Sequence, residues 1–329
     1  MKKILLFRYS SIGDIVLTSP VIRCLRKAYP QANIHYLCKT NFAPILQANP
    51  YIDKVYHFEK DIVPLLAILK QESYDLLIDL HKNLRSFQLR KALGIPTYRF
   101  YKANIEKWLM VQFKINRLPK KHIVDRYMET LQPLGISYDG EGLDYFIPKG
   151  ERFPPPPLKL NQRPPFLTFA IGATHTTKRL PDDMVTAICE ALPYQIILLG
   201  GKNEQATGEK VASKFPAKVL NCCGSLNLHQ SADAIRQSAL LITHDTGMMH
   251  IGAALRKRII SIWGNTIPAF GMYPFYPDGI ESNTTIEVQG LSCRPCSKIG
   301  HSRCPKKHFR CMKDINIQDI VFTVKESMD

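Results

Sequence analysis

The chain has 329 residues, 45% of them hydrophobic and 22% charged, which is enough to bury a large core and suits two domains better than one. Forty-four Lys and Arg against 28 Asp and Glu leave a formal charge of +16, so the surface attracts anions: nucleic acid, an anionic membrane or phosphorylated substrates. No apolar run approaches the roughly 18 residues that a membrane span needs, and the nine cysteines are too scattered for a disulfide framework, so a cytoplasmic protein with reduced thiols is expected.

Residues 4–8 predict a strand, because Arg8 and the polar residues after it end the apolar run too early for a signal peptide. A turn at 10–14 and a helix at 15–28 follow, with Val16, Val21, Ile22 and Leu25 as its apolar face and Pro20 in its early part. Short strands are predicted at 34–38, 54–58 and 76–79, a shorter one at 99–101, and a helix at 123–134. This alternation builds a parallel sheet covered by helices. Residues 153–165 (FPPPPLKLNQRPP) have no hydrophobic period and read as a semi-rigid connector. The alternation then restarts, with strands at 166–171, 195–199, 218–221, 240–243 and 259–263 and a last helix near 317–328. The pattern predicts two α/β domains, residues 1–152 and 166–329, joined by the Pro-rich linker at 153–165.

Doubly wound sheets bind ligands beyond the carboxyl ends of their strands, so the polar residues after each strand are the candidates. After the first strand come Ser11, Gly13 and Asp14. Asp14 at a helix start is either a simple cap or an ionised carboxylate able to act as a base. After the strand at 166–171, Thr174, Lys178 and Arg179 suit a phosphate, or form a solvated basic loop. Gly200 and Gly201 let a ligand approach the backbone, with Glu204 able to hold ribose hydroxyls, although no GxGxxG fingerprint is present. Asp245, Thr246 and Gly247 open a helix whose free amides and positive dipole end suit a pyrophosphate. Lys82 and Arg85 follow another strand, and with Arg99 they are candidates for acidic groups or for a solvated basic face.

Ser-Ser-Ile-Gly-Asp at 10–14, Lys-Arg-Leu-Pro at 178–181, the turn at 200–204 and Asp-Thr-Gly-Met-Met-His-Ile-Gly-Ala-Ala at 245–254, followed by Ile-Ile-Ser-Ile-Trp-Gly-Asn-Thr, together resemble glycosyltransferase family 9. These are the heptosyltransferases of lipopolysaccharide core assembly. The resemblance implies a GT-B architecture, two Rossmann-like domains whose parallel sheets face a central cleft, with the acceptor on the N-terminal domain and the nucleotide sugar on the C-terminal one. It implies Asp14 as the general base beside Ser11 and Gly13, and Lys82, Arg85 and Arg99 as acceptor ligands. Thr174 and Lys178 would bind donor phosphates, Glu204 the ribose, and Asp245, Thr246 and Gly247 the pyrophosphate. The implied reaction is one in-line displacement with inversion, needing no cofactor. ADP-heptose would be the donor and an acidic, lipid-linked core oligosaccharide the acceptor, at the anionic inner face of the cytoplasmic membrane.

Cys293, Cys296, Cys304 and Cys311, with His301 and His308 among them, supply enough ligands for a tetrahedral structural zinc, although the Cys304–Cys311 spacing is not a standard half-site. Reduced cysteines in an ordered loop are the alternative. Two other functions remain at this stage: the same fold on another nucleotide sugar or acceptor, and a basic nucleic-acid-binding protein. The chain carries no interleaved aromatic and basic motif in favour of the latter, so no nucleic-acid partner is expected.

Overall fold

The structure, a computed structural model, describes residues 2–153 and 165–328. Apart from its two end residues, the expected linker at 153–165 lies outside them. Strands β1 (Lys3–Phe7), β2 (Asn33–Lys39), β3 (Lys54–Phe58), β4 (Leu76–Asp79) and β5 (Thr97–Arg99) form one sheet, ordered β3-β2-β1-β4-β5, with every pair parallel. Strands β6 (Phe166–Ala170), β7 (Gln195–Leu199), β8 (Val219–Asn221), β9 (Leu240–His244), β10 (Arg258–Trp263) and β11 (Asn283–Glu287) form the other, ordered β11-β10-β9-β6-β7-β8 and also wholly parallel. The central strands dictate this. Residues 4–7 of β1 and all of β9 are inaccessible to solvent, and a run buried on both faces is what a helix-covered parallel sheet requires.

Two compact units result, one of Met1–Ala103, Lys121–Phe146 and Pro277–Gly279, the other of Asn104–Lys120, Ile147–Tyr276 and Ile280–Asp329. The sequence pattern put residues 104–120 with the first sheet. They go with the second unit, where the Lys114 ammonium donates to the Pro295 carbonyl at 2.7 Å.

Three further differences have local causes. The helix expected over 15–28 is two, Ile12–Val16 and Ser19–Ala28: Pro20 starts the second, and the Thr18 and Ser19 hydroxyls bond back to the Ile15 and Val16 carbonyls. Strand β5 lies two residues earlier than expected. Strand β11 was not foreseen, because Asn-Thr-Thr-Ile-Glu is a polar edge strand with β10 as its one neighbour.

The helix Gly247–Ala254 lies close on the second sheet through Gly252, where a Cβ would sit 2.5 Å from Leu241 Cδ2 and 3.2 Å from Ile259 Cδ1. A Gly252→Val substitution is expected to destabilise the fold by about 1–3 kcal/mol through overpacking, read by chemical denaturation. At the end of β9, His244 is wholly buried, and its Nε2 accepts the Leu180 amide at 3.1 Å. Burial, helped by Arg179, pushes its pKa down to about 3. The unfolded ring titrates near 6.5, so below that pH the unfolded chain binds the extra proton and stability is lost as pH falls toward 3. Melting temperatures measured between pH 7 and 5 are expected to decline, and less steeply in His244→Gln, which keeps an acceptor for Leu180 but does not titrate.

Candidate active site

In each sheet the strand order reverses once, between β6 and β9 in one and between β1 and β4 in the other. Ligands of open parallel sheets bind beyond the strand carboxyl ends at such points, and the candidate residues gather there.

In the second unit, three strand ends meet on Asp245. From the loop after β6, Lys178 Nζ lies 2.6 Å from Asp245 Oδ2 and also donates to the Asp245 carbonyl at 3.3 Å. From the end of β10, the Thr266 hydroxyl donates to the same carboxylate oxygen at 2.7 Å. Asp245 and Thr266 are buried, and Lys178 is largely so. The next residues, Thr246 and Gly247, open the eight-residue helix Gly247–Ala254, whose first amides have no partner within the helix. A fixed cation, free amides and the positive dipole end of a helix are therefore concentrated at one strand terminus, a charge arrangement suited to a diphosphate. Beside Thr266, the buried Asn265 amide has no hydrogen-bond partner among the described residues, as expected of a group that water or a ligand satisfies.

Glu204 and Thr174 flank this point differently. The Glu204 carboxylate is ion-paired with Arg179 through one oxygen, while the other accepts the Gly201 amide at 2.9 Å. Gly172 and Gly200 are needed beside it, since a Cβ at either would come within 2.9 Å of the Glu204 side chain. Thr174 is exposed on the same loop as Lys178.

In the first unit, Asp14 sits in the first turn of the helix Ile12–Val16. Its Oδ1 pairs with Arg8 Nη2 at 2.6 Å, and its Oδ2 accepts from the Ser11 amide at 3.0 Å and the Ser11 hydroxyl at 2.8 Å. Arg8, buried at the end of β1, also donates to the Leu80 carbonyl beyond β4 at 2.6 Å, so it spans the reversal. His81, next in chain, stacks edge-on to Phe7 and Tyr9. Burial, then Arg8 and Lys102, push it down to about 3, so it is neutral at physiological pH, and its Nδ1 has no partner among the described residues. Gly13 is buried within the short helix. Lys82 is exposed, with its amide held by Asp79 at 2.8 Å; Arg85 lies over the Tyr9 ring, 4.4 Å from its centroid; and Arg99 is exposed at the end of β5.

The cysteine tail corrects one expectation. Among the described residues, no group of three or more His, Cys, Asp or Glu is arranged to hold a metal ion, and Cys293, Cys296, Cys304 and Cys311 are free thiols. The segment is ordered by other means. Arg294 donates to the Thr266 carbonyl at 2.9 Å and pairs with Glu287, while the His301 backbone and the Thr177 hydroxyl bond to each other in both directions. Gly300 has φ +123° and leaves no space for a Cβ, which would meet His175 at 2.5 Å. The tail thus braces the Lys178 loop and the end of β10.

Arg8, His81, His244, Thr266 and Arg294 were not predicted from sequence. Arg8 and His81 could have been found, since each directly follows a strand at the reversal. Arg294 could not, because it acts here through the Gly264 and Thr266 carbonyls, about thirty residues earlier in the chain.

The sequence model of glycosyltransferase family 9 (heptosyltransferase) matches residues 63–307. The lipooligosaccharide heptosyltransferase 2 of Haemophilus influenzae is 24% identical over 293 residues, covering 81% of this chain and 84% of that protein. The family 9 glycosyl transferase of Veillonella parvula superposes with a TM-score of 0.77 at 22% identity, over 99% of this chain and 97% of the other. The ADP-heptose lipopolysaccharide heptosyltransferase II of Escherichia coli gives 0.72, also at 22% identity, over 100% and 98%. The two parallel-sheet units together are a GT-B fold, and the chain belongs to glycosyltransferase family 9.

Proposed function

We propose that this glycosyltransferase moves heptose from ADP-heptose to a lipid-linked lipopolysaccharide core, with inversion at the anomeric carbon. The observation that carries the proposal is the cation at the helix opening: Lys178, fixed on Asp245 beside Thr246 and Gly247, offers charge where a departing diphosphate needs it. The names of the Haemophilus and Escherichia relatives support heptose as the sugar, and the latter supports ADP-heptose as the donor. No metal or cofactor is needed for this chemistry.

Asp14 is the base in this scheme. The acceptor hydroxyl gives its proton to the carboxylate as its oxygen attacks the anomeric carbon, and the bond from that carbon to the diphosphate breaks. Arg8 and Ser11 hold the carboxylate in place through an ion pair and a hydrogen bond. Gly13 permits close approach of the acceptor, and Lys82, Arg85 and Arg99 attract its acidic groups. Thr174 binds donor phosphate, and Glu204 receives the ribose. The N-terminal unit is thus the acceptor side and the C-terminal unit the donor side. The acceptor is lipid-linked, so the enzyme works as a peripheral protein at the anionic cytoplasmic face of the membrane. The +16 charge supports this, and no described helix is long and apolar enough to cross a membrane.

Thermal unfolding with ADP, UDP and GDP side by side tests the donor. ADP at a hundred times its dissociation constant is expected to stabilise by about 2.7 kcal/mol, with UDP and GDP far weaker. A preference for UDP or GDP would move the enzyme to another nucleotide sugar, and no response to any of them would contradict the proposal. Asp14→Asn is expected to keep the ADP response while lowering kcat about a hundredfold or more. Undiminished turnover would remove Asp14 as the base.

A further inference from the structure

The segment Asn104–Lys120 carries an apolar surface that the transfer chemistry does not use. Its helix, Asn104–Phe113, has no buried residue, whereas helices such as Ser19–Ala28 and Asp182–Ala191 bury apolar side chains. Ile105 is 71% exposed, Trp108 53% and Phe113 58%, and Ile115, just past the helix end, is 47%. Trp108 and Phe113 pack edge to face, with centroids 5.3 Å apart, so the aromatic pair is a formed feature of the surface. Large side chains on a monomer surface are ordinary when scattered, but four within eleven residues are not.

The charge around them indicates what covers them. Residues 104–120 contain Lys107, Lys114, Arg117 and Lys120 against the single Glu106. Arg117 and Lys120 are exposed and follow the aromatic pair directly, while the Lys114 ammonium is held by the Val111 and Pro295 carbonyls. Tryptophan and phenylalanine flanked by cations match the boundary between acyl chains and anionic headgroups, with the rings seated below the phosphates and the cations at their level. A protein partner would gain little from this density of cations. Met110 of the same helix instead lines a groove with Ile267, Pro268 and Leu291.

We infer that the helix Asn104–Phe113 and the basic residues after it form an interfacial anchor that seats the enzyme on an anionic lipid bilayer. This rests on the membrane part of the proposed function and names the element responsible. Binding to lipid needs neither donor nor acceptor, so it fails or succeeds independently of the transferase reading.

The test uses the full chain with vesicles of equimolar phosphatidylglycerol and phosphatidylcholine, and with phosphatidylcholine alone. Of the two tryptophans, Trp263 is buried at 1% exposure, so Trp108 is the one that lipid can reach. Binding to the anionic vesicles is expected, weakened by salt, with a blue shift of the tryptophan emission and quenching by lipids brominated on their acyl chains. Arg117→Gln and Lys120→Gln together are expected to lower vesicle affinity roughly thirtyfold. Trp108→Ser with Phe113→Ser should lower it at least about tenfold. The melting temperature and ADP response of each variant show whether it folds, and the quenching in the unaltered protein needs no variant. Failure of the unaltered chain to bind, binding without quenching, or serine variants that bind as well as the parent would each overturn the inference. So would serine variants that turn a dimer into a monomer without changing vesicle affinity, since a second copy would then cover this face.

Discussion

The ion pair between Lys178 and Asp245 is the contact on which the donor side depends. It joins the loop after β6 to the end of β9, the two strands between which the order of the second sheet reverses, and Thr266 adds the end of β10. Each charge would be costly to bury alone, and together they are tolerated because the carboxylate also accepts from the Thr266 hydroxyl and the ammonium also donates to the Asp245 carbonyl. The pair fixes a cation at the opening of a helix without neutralising the helix's own amides. Under the proposed function, a diphosphate arriving there meets charge that is already in place and needs no reorganisation.

The first sheet solves the complementary problem by the same device. Arg8 and Asp14 make a second ion pair at the reversal between β1 and β4, but here the less buried partner is the carboxylate, presented by a short helix and held by Ser11. One sheet therefore holds a cation in place and the other a carboxylate, and under the proposed function these meet the opposite requirements of a leaving diphosphate and of a hydroxyl that must lose its proton. His81 beside Arg8 is neutral because burial and the guanidinium both oppose its charging, so it adds a polar ring without competing for the acceptor's anionic groups.

Most of the fold was legible in the sequence because buried parallel strands are continuous apolar runs bounded by glycine and polar turns. The bounds of β3, β4 and β7 match the sequence pattern to the residue. The polar edge strand β11 was not legible, since its stability comes from β10 and not from its own pattern. Asp14, Lys178 and Asp245 were identifiable as residues that follow strands, but their ion pairs were not, because each partner lies on a separate loop or in a separate turn. For the cysteine tail, ligand count and a CxxC spacing left a structural zinc and an ordered loop of reduced cysteines both open, and the hydrogen bonds of Arg294, Thr177 and His301 that order the segment were not visible in either pattern.

The measurement that bears most directly on this account compares the affinities of ADP and adenosine, by calorimetric titration, in the parent chain and in Lys178→Met. If Lys178 acts on the diphosphate, the substitution weakens ADP by about ten- to a hundredfold, the value of a hydrogen bond to a charged group, and leaves adenosine unchanged. Equal ADP affinity in the two proteins, with the variant correctly folded, would contradict the account.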